Sequence, residues 1–139
     1  MGSLKGLESK AGIFADAIED AIAKDLNILV VGHLDADGIA SSSLMARAII
    51  RRRGRPTVRI MSDLTPQALE SIRAEKYDFH IFCELGGGFT NMTEEILGSN
   101  WLLIDHHQVP DEELAMDRVL NAWAFGFDGS VDVSAAGVA

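Results

Sequence analysis

The sequence has only one cysteine and no long apolar run. Because Cys83 is alone among the 139 residues, an internal disulfide is excluded. A single cysteine also fits a reducing compartment, and we expect the protein to be cytoplasmic. No apolar stretch is long enough to cross a bilayer, and the first residues lack the apolar segment of a secretory signal. We therefore expect no membrane partner.

Basic residues are also scarce, since 12 Lys and Arg stand against 21 Asp and Glu, for a formal net charge of −9. This balance argues against a protein whose whole surface binds nucleic acid, although bound divalent cations would offset part of it. Half of the basic residues lie close together in one segment, either as an anion-binding patch or, the simpler interpretation, as a solvated helix end. They are Arg47, Arg51, Arg52, Arg53, Arg55 and Arg59.

The pattern of apolar residues indicates one globular domain with alternating strands and helices. Short runs rich in Ile, Leu and Val, typical of strands buried on both faces, alternate with segments of helical apolar spacing. We predict an α/β fold with a mainly parallel sheet and helices on both faces. Predicted strands cover residues 27–31, 58–61, 79–83, 101–104 and 118–121. Predicted helices cover residues 7–24, 39–53, 65–74 and 91–97.

The last seven residues, 133–139, are small and mostly apolar, and they are predicted to begin a helix. A natural domain seldom ends at such a point. We therefore expect residues 1–139 to form a single domain that is truncated at its C-terminus.

Polar clusters follow three of the predicted strands, at the carboxyl ends where parallel sheets bind ligands. The first cluster, at residues 33–38, contains His33, Asp35 and Asp37 and is predicted to be a polar loop. Carboxylates this close repel one another, so a cation between them would explain the cluster. An Asp-rich turn that caps the next helix would explain it equally well.

The second cluster places Glu84 shortly before three glycines, Gly86 to Gly88. Glycines allow a sharp turn or a close approach of the backbone to a ligand. Taken alone, a flexible loop with an incidental glutamate is the simpler interpretation. However, Glu84 follows the end of a predicted strand, as the other two clusters do, and this shared position favours a ligand site.

The third cluster is Asp105-His106-His107, directly after a predicted strand. Mixed imidazole and carboxylate ligands suit Mn²⁺ and related ions, so a metal site is favoured here. Asp128 or Asp132, near the C-terminus, could close such a site, or each could be a turn residue or a helix N-cap.

Together the clusters supply enough oxygen and nitrogen atoms for two cations. Two metals roughly 3.5–4 Å apart can activate a water and stabilise both oxygens of an in-line phosphoryl displacement. That reaction needs no protein nucleophile, and the sequence has neither a Gly-x-Ser-x-Gly elbow nor a P-loop. Cys83 ends a predicted buried strand and is interpreted as structural.

The motifs resemble those of the DHH phosphoesterase family. The segment HLDADG at residues 33–38 looks like the first family motif, and Asp105-His106-His107 is the motif that names the family. The ending SAAGVA at residues 134–139 is similar to the fourth motif region of the RecJ-like branch, and with Asn121 upstream it looks closest to archaeal RecJ-like proteins. The resemblance covers residues 27–139 and implies a parallel α/β domain that binds two Mn²⁺ or Mg²⁺ ions.

The resemblance also implies roles for individual residues. It implies that His33, Asp35, Asp37, Asp105 and His106 are metal ligands, and it places His107 near substrate phosphate or metal. With the two acidic residues from the other clusters, the predicted metal ligands are His33, Asp35, Asp37, Glu84, Asp105, His106 and Asp128. The predicted catalytic residues are Asp105, His106 and His107.

Two departures from the family pattern matter. The second motif normally starts with Asp, and here Glu84 takes that place. The extra methylene moves the carboxylate by roughly 1.5 Å, a shift that can lower the rate or weaken one metal site. The DHH-associated C-terminal domain is absent from the sequence, so long substrates are expected to be hydrolysed poorly.

The expected function is that of a metal-dependent phosphodiester hydrolase, a RecJ-like exonuclease acting on single-stranded DNA or RNA in DNA repair or replication. Two alternatives remain open. One is a catalytically weak or inactive scaffold of a replication complex, which Glu84 and the net charge of −9 favour. The other is an oligoribonuclease or a cyclic-dinucleotide phosphodiesterase. The expected partners are single-stranded nucleic acid and replication proteins such as the GINS complex.

Overall fold

A computed structural model describes residues 3–139 as a parallel sheet covered by helices. The strands are β1 (Ile28–His33), β2 (Pro56–Met61), β3 (Phe79–Cys83), β4 (Trp101–Asp105) and β5 (Val119–Asn121). The helices are α1 (Leu4–Ala23), α2 (Ala36–Arg51), α3 (Pro66–Ala74), α4 (Thr90–Leu97), α5 (Asp111–Leu114) and α6 (Ala135–Val138), and a 3₁₀ turn spans Ala122–Phe125. The strands pair in parallel in the order β2-β1-β3-β4-β5. The predicted α/β class and parallel sheet are confirmed.

Apolar layers cover both faces of the sheet, because side chains along each strand alternate between the two faces. On one face, Phe14 of α1 and Ile49 of α2 pack over Val30. On the other face, Leu69 of α3 packs in a second cluster with Leu29 of β1. Burial on both faces explains why β1, β3 and β4 are mostly apolar, whereas the edge strand β2 is only partly buried. Among the helices of residues 3–139, none is long and apolar enough to cross a membrane.

The prediction of a polar loop at residues 33–38 is wrong. Strand β1 continues to His33, and α2 begins at Ala36 instead of Ile39. Asp35 is the N-cap of α2, and its Oδ1 accepts a hydrogen bond from Gly38 N–H at 2.8 Å. This cap starts the helix inside the polar cluster. The side chains of the first cluster are therefore carried by two rigid elements rather than by a mobile loop.

Two glycines allow β1 and the first turn of α2 to lie in close contact. A Cβ on Gly32 would lie 2.7 Å from the carbonyl oxygen of Gly38, and a Cβ on Gly38 would lie 2.6 Å from His33 N. Both distances are too short for a side chain. Glycine at both positions therefore fixes how closely Asp35 approaches the end of β1.

The other differences concern the ends of elements and the shortest elements. Ser3 Oγ accepts a hydrogen bond from Gly6 N–H, so α1 begins at Leu4 and not at Leu7. Thr65 is the N-cap of α3, and its Oγ1 accepts a hydrogen bond from Ala68 N–H at 3.1 Å. Helix α5 and the 3₁₀ turn were not predicted, since an element of four residues is too short to show a periodic pattern.

Neighbouring isoleucines of α2 test the orientation of this helix. Ile49 is fully buried in the core, whereas Ile50 is 61% exposed. We expect Ile49→Ala to lower the free energy of unfolding by about 2–5 kcal/mol through the cavity it leaves. Ile50→Ala should change it by no more than about 0.5 kcal/mol. Urea denaturation followed by circular dichroism measures both, and equal losses would contradict the assigned buried face.

Candidate metal centre

The three predicted clusters meet at one edge of the sheet. Because β3 pairs with β1 on one side and with β4 on the other, the carboxyl ends of these strands lie side by side. His33 ends β1, Glu84 follows β3 directly, and Asp105 ends β4. The first turn of α2 adds Asp35 and Asp37 from above the same edge.

Glu84 links two groups of potential ligand atoms. Its Oε2 lies 3.0 Å from His33 Nδ1, and its Oε1 lies 3.7 Å from His106 Nε2 and 3.5 Å from His107 Nε2. One group, whose ligand atoms all lie within 4.8 Å of one another, consists of His33, Asp35 and Glu84. The other consists of Glu84, His106 and His107. A single buried carboxylate is thus shared by two adjacent sites.

The atoms at the centre of the site fit a metal ion. His33 Nδ1 and Glu84 Oε2 are buried and have no hydrogen-bond partner, although they lie only 3.0 Å apart. Asp35 Oδ2 lies 3.1 Å from the same nitrogen. Buried polar atoms without partners are costly, and a cation bound by the imidazole nitrogen and both carboxylates would satisfy them. Nitrogen and oxygen donors together suit Mn²⁺.

The backbone of Glu84 adopts an unusual conformation. Its φ is 61°, in the left-handed region that favours glycine. Its N–H continues the sheet by donating to the carbonyl of Ile104 at 2.8 Å. A non-glycine residue in this region costs roughly 1–3 kcal/mol, and such strain is concentrated at functional sites. Here it lets the chain turn away from β3 while the Glu84 side chain stays buried.

Asp105 orients both histidines of its motif. Its buried Oδ1 accepts hydrogen bonds from His106 N–H at 2.7 Å, from His107 N–H at 3.1 Å and from His107 Nδ1–H at 2.8 Å. The glycine loop closely approaches the other oxygen, since a Cβ on Gly87 would lie 2.7 Å from Asp105 Oδ2. Asp105 is not a member of the two ligand groups around Glu84. Its hydrogen bonds position the backbone of the motif and the imidazole of His107, and a metal-ligand role for Asp105 stays a prediction.

A backbone contact orients the His106 ring. Its Nδ1 lies 2.6 Å from the carbonyl oxygen of Gly129, so Nδ1–H donates to this oxygen. Nε2 then faces carboxylates, at 3.3 Å from Asp37 Oδ2 and 3.7 Å from Glu84 Oε1. An imidazole held in this way by a carbonyl is the arrangement that metal-binding histidines use.

The crowded charges shift several pKa values. Burial, followed by the neighbouring carboxylate of Asp35, raises the pKa of Glu84. The hydrogen bond from Gly38 N–H lowers the pKa of Asp35. For His33, burial lowers the pKa, but the nearby carboxylates of Asp35 and Glu84 outweigh it and the pKa is raised. The site without metal therefore tends to retain protons that a cation would displace.

The hydrogen bond to Asp105 also raises the pKa of His107. This imidazole is half exposed, with 55% of its side chain accessible, and it borders a cleft of about 570 Å³. His33, Glu84 and the loop Gly86 to Gly88 line the same cleft. A second cleft, of about 590 Å³, opens on the side of His106. The ligand cluster thus lies between two openings to solvent.

Asp37 connects the first motif with the last residues of the chain. Its Oδ2 accepts a hydrogen bond from Ala135 N–H at 2.7 Å, and its Oδ1 accepts one from Ala136 N–H at 2.9 Å. These are the first N–H groups of α6. Nothing in the sequence pattern indicated that this predicted ligand would also hold the C-terminal helix, because the two segments are far apart along the chain.

The structure does not bring Asp128 or Asp132 into either ligand group. Asp128 Oδ1 accepts from Ser130 N–H at 2.8 Å, so Asp128 lies in a turn, one of the two interpretations that the sequence left open. Asp132 Oδ2 accepts from Asp128 N–H at 2.9 Å and does not cap α6. The cap is Ser134, whose Oγ accepts from Gly137 N–H at 3.2 Å. A metal-ligand role for Asp128 stays a prediction.

Two residues that were not predicted as site residues hold the backbone of the Asp105-His106-His107 segment. Asn121 Nδ2–H donates to the carbonyl of His107, and Trp123 Nε1–H donates to the carbonyl of His106, both at 2.9 Å. The sequence feature that could have identified Asn121 as a site residue is its position as a polar residue at the end of a buried strand. Cys83 remains a structural residue. Burial raises the pKa of its thiol to about 12, so the thiol stays protonated.

Replacement of the shared carboxylate tests its burial. Because the pKa of Glu84 is higher in the folded chain than in the unfolded one, its ionised form opposes folding. The loss of folding free energy is complete at a pH above the pKa of Glu84 in the folded chain. It decreases as the pH falls below that value, and it is absent below the pKa of Glu84 in the unfolded chain. We therefore expect Glu84→Gln to raise the Tm of the metal-free protein at about pH 8, with a gain that shrinks on acidification.

Thermal unfolding in the presence of a chelator measures this effect. Glu95→Gln is the matched control, because Glu95 is exposed and outside the site, and it should leave the Tm unchanged. A Glu84→Gln variant that is less stable than the wild type at every pH would contradict the assignment.

Comparison with known proteins gives consistent matches. The model of the DHH family, N-terminal domain, matches residues 27–139. The uncharacterized protein MJ0831 of Methanocaldococcus jannaschii is 29% identical over 119 residues, which cover 80% of this chain and 27% of that protein. The chain therefore spans about a quarter of the length of this relative.

Solved structures share the fold. RecJ from Thermus thermophilus, in complex with Mn²⁺, has a TM-score of 0.72 and 21% identity, over 97% of this chain and 19% of that chain. CDC45 from Entamoeba histolytica has a TM-score of 0.61 and 11% identity, over 80% of this chain and 23% of that chain. At these identities the likeness shows the fold alone. The family match covers most of the chain, including all of the polar clusters described above, and this chain belongs to the DHH family.

Proposed function

We propose that this chain is the metal-binding domain of a metal-dependent phosphodiester hydrolase, a RecJ-like exonuclease that acts on single-stranded DNA or RNA. The observation that carries the proposal is the Glu84 carboxylate, shared by two groups of nitrogen and oxygen ligand atoms at the carboxyl edge of the sheet. Membership of the DHH family supports a hydrolase. The Mn²⁺ in the RecJ structure, which has the same fold, supports manganese as the metal.

The residues divide into two adjacent ligand sets. His33, Asp35 and Glu84 would hold one Mn²⁺ or Mg²⁺ ion, and Glu84, His106 and His107 would hold the other. Imidazole nitrogens in both sets favour Mn²⁺ over Mg²⁺. When bound, such ions lower the pKa of a water and stabilise negative charge on phosphoryl oxygens.

The remaining residues would prepare the site for substrate. Asp105 holds the imidazole of His107 through Nδ1, so that Nε2 stays directed at Glu84, 3.5 Å away from its Oε1. His107 is also half exposed at the cleft of about 570 Å³, where it would meet a substrate phosphate. A cleft of this size can hold a nucleotide-sized group.

A second candidate function is a replication-complex scaffold with a weak or inactive site. Glu84 stands where the family pattern has Asp, and the chain has a net charge of −9. Against this alternative, the ligand-type side chains still converge on one point. A small substrate, as in an oligoribonuclease or a cyclic-dinucleotide phosphodiesterase, fits the same cleft. Partners such as the GINS complex and a cytoplasmic location remain predictions from the sequence.

Metal binding is the first test of the proposal. We expect isothermal titration calorimetry to show two Mn²⁺ ions per chain. Asp35→Asn should weaken binding about tenfold or more, because it removes a ligand charge while asparagine can still cap α2. Asp16→Asn makes the same chemical change at an exposed residue of α1, outside both ligand groups, and should bind Mn²⁺ like the wild type. Equal losses in the two variants, or no binding by the wild type, would refute the assigned ligand set.

Hydrolysis of a single-stranded oligonucleotide in Mn²⁺ is the second test. Asp105→Asn should lower the rate by about 10–100-fold, because residues that orient metal-binding histidines have effects of this size. Its circular dichroism spectrum should match that of the wild type. Asp132→Asn, an exposed residue outside the ligand groups, is the control. Mn²⁺ binding without any hydrolysis by the wild type would favour the scaffold.

A further inference from the structure

Strand β2 leaves one side of the sheet open. It is the first strand in the order β2-β1-β3-β4-β5, so it pairs with β1 and with no second strand among residues 3–139. The backbone N–H and C=O groups on its outer side are therefore free to pair with another extended chain. Two of its side chains, Val58 and Ile60, are also 46% and 43% exposed, which is unusual for apolar residues of a sheet.

These two side chains point to the face of the sheet that α2 covers. Val58 is in register with Val30, and Val30 packs with Ile49 in the apolar cluster on that face. Residues in register on parallel strands point to the same face, and Ile60 follows Val58 by two residues. Both side chains consequently lie beside α2, at the outer margin of the sheet.

Helix α2 extends this apolar surface. Ile39, Ser43 and Ile50 are four and seven residues apart, so they form one row along the helix. Met45 and Ala48, on the other flank of α2, line a groove together with residues of α1. The row of Ile39, Ser43 and Ile50 therefore lies on the flank of α2 that is next to β2. Ile39 and Ile50 are 47% and 61% exposed. We call this surface the β2 edge strip, and it consists of Ile39, Ser43, Ile50, Val58 and Ile60.

Two arginines without internal partners lie beside the β2 edge strip. Arg47 and Arg53 are exposed and form no ion pair with any residue from 3 to 139. Arg51 is unpaired as well, but it lines the groove beside α1 on the other flank of the helix. Arg55 and Arg59 are paired with carboxylates of the chain. In a chain with a net charge of −9, the two guanidinium groups beside the strip form a local positive region.

This positive region is remote from the metal centre. Arg47 lies near the end of α2 and Arg53 just after it, before β2 begins. The metal centre lies at the opposite, carboxyl ends of the strands. These arginines do not line the clefts beside His107 and His106, so they are not part of the metal centre.

We propose that the β2 edge strip binds an extended acidic segment of a partner protein, which adds to the sheet as a sixth strand beside β2. Its backbone pairs with the free edge, its alternate apolar side chains cover Val58, Ile60 and Ile50, and its carboxylates neutralise the two unpaired arginines beside the strip. Main-chain pairing at a sheet edge, with pockets for alternate side chains, is a common mode of peptide recognition.

Two other occupants fit these observations less well. The same strip of a second copy of this chain would bring two more unpaired arginines and so would add like charges. The phosphates of a nucleic acid would pair with the arginines, but they would leave the apolar side chains uncovered. An acidic extended peptide satisfies the edge, the apolar row and the charges together.

The test begins with selection of binders from a random peptide library on the wild-type chain. The expected peptides alternate apolar residues and contain Asp or Glu, and raised salt should weaken their binding. In fluorescence anisotropy with one such labelled peptide, Val58→Asp and Arg47→Glu should each raise the Kd about tenfold or more. Hydrogen exchange of the β2 amides should slow when the peptide is bound.

Leu44→Asp is the matched control, because Leu44 is 49% exposed on the same helix but lies outside the row that faces β2. It should bind the peptide like the wild type. Equal effects of Leu44→Asp and Val58→Asp would overturn the proposal, as would selected peptides without acidic residues. Dimerisation that Val58→Asp abolishes would assign the strip to a second copy. Binding of a single-stranded oligonucleotide that only Arg47→Glu weakens would assign the arginines to nucleic acid.

Discussion

The carboxylate of Glu84 lies within 4 Å of three imidazoles, those of His33, His106 and His107, and it is almost completely buried. A negative charge in that position is unfavourable unless positive charge is close, and the raised pKa of Glu84 expresses this cost. The imidazoles of His33 and His107 supply part of that compensation, whereas the carboxylate of Asp35 adds to the cost. The same constraint explains why the site is suited to cations, because ions of high charge satisfy carboxylates and imidazoles together.

The scaffold places these groups by backbone geometry more than by side-chain contacts. Parallel pairing of β1, β3 and β4 brings three strand ends to one edge. Glycines then allow close approach, with Gly38 beside His33 and Gly87 beside Asp105. Because Asn121 and Trp123 hold the carbonyls that follow β4, the histidine pair has little freedom to move. A site built in this way is preorganised, so ligand binding does not have to order it.

The molecule separates its two polar surfaces. Acidic and imidazole groups occupy the carboxyl ends of the strands, whereas the unpaired arginines lie near the start of β2. Opposite charges at opposite ends of one small sheet allow two ligands of different chemistry to bind without competition. The exposed apolar margin between α2 and β2 belongs to the second surface, because it accompanies the arginines and not the histidines.

The sequence by itself determined the fold class, the parallel sheet and the three clusters that meet at its edge. It could do so because buried strands, helical spacing and polar residues at strand ends are local patterns. The predicted start of α2, residue 39, lies three residues after the observed one, because residues 33–38 were all assigned to a loop whereas Asp35 caps the helix within that segment. Only the tertiary structure decided that Glu84 is shared by two ligand groups and that Asp105 orients the histidines. It also placed Asp128 in a turn and joined Asp37 to α6. These contacts connect residues far apart along the chain, and their distances depend on how helices and strands pack, which no local pattern encodes.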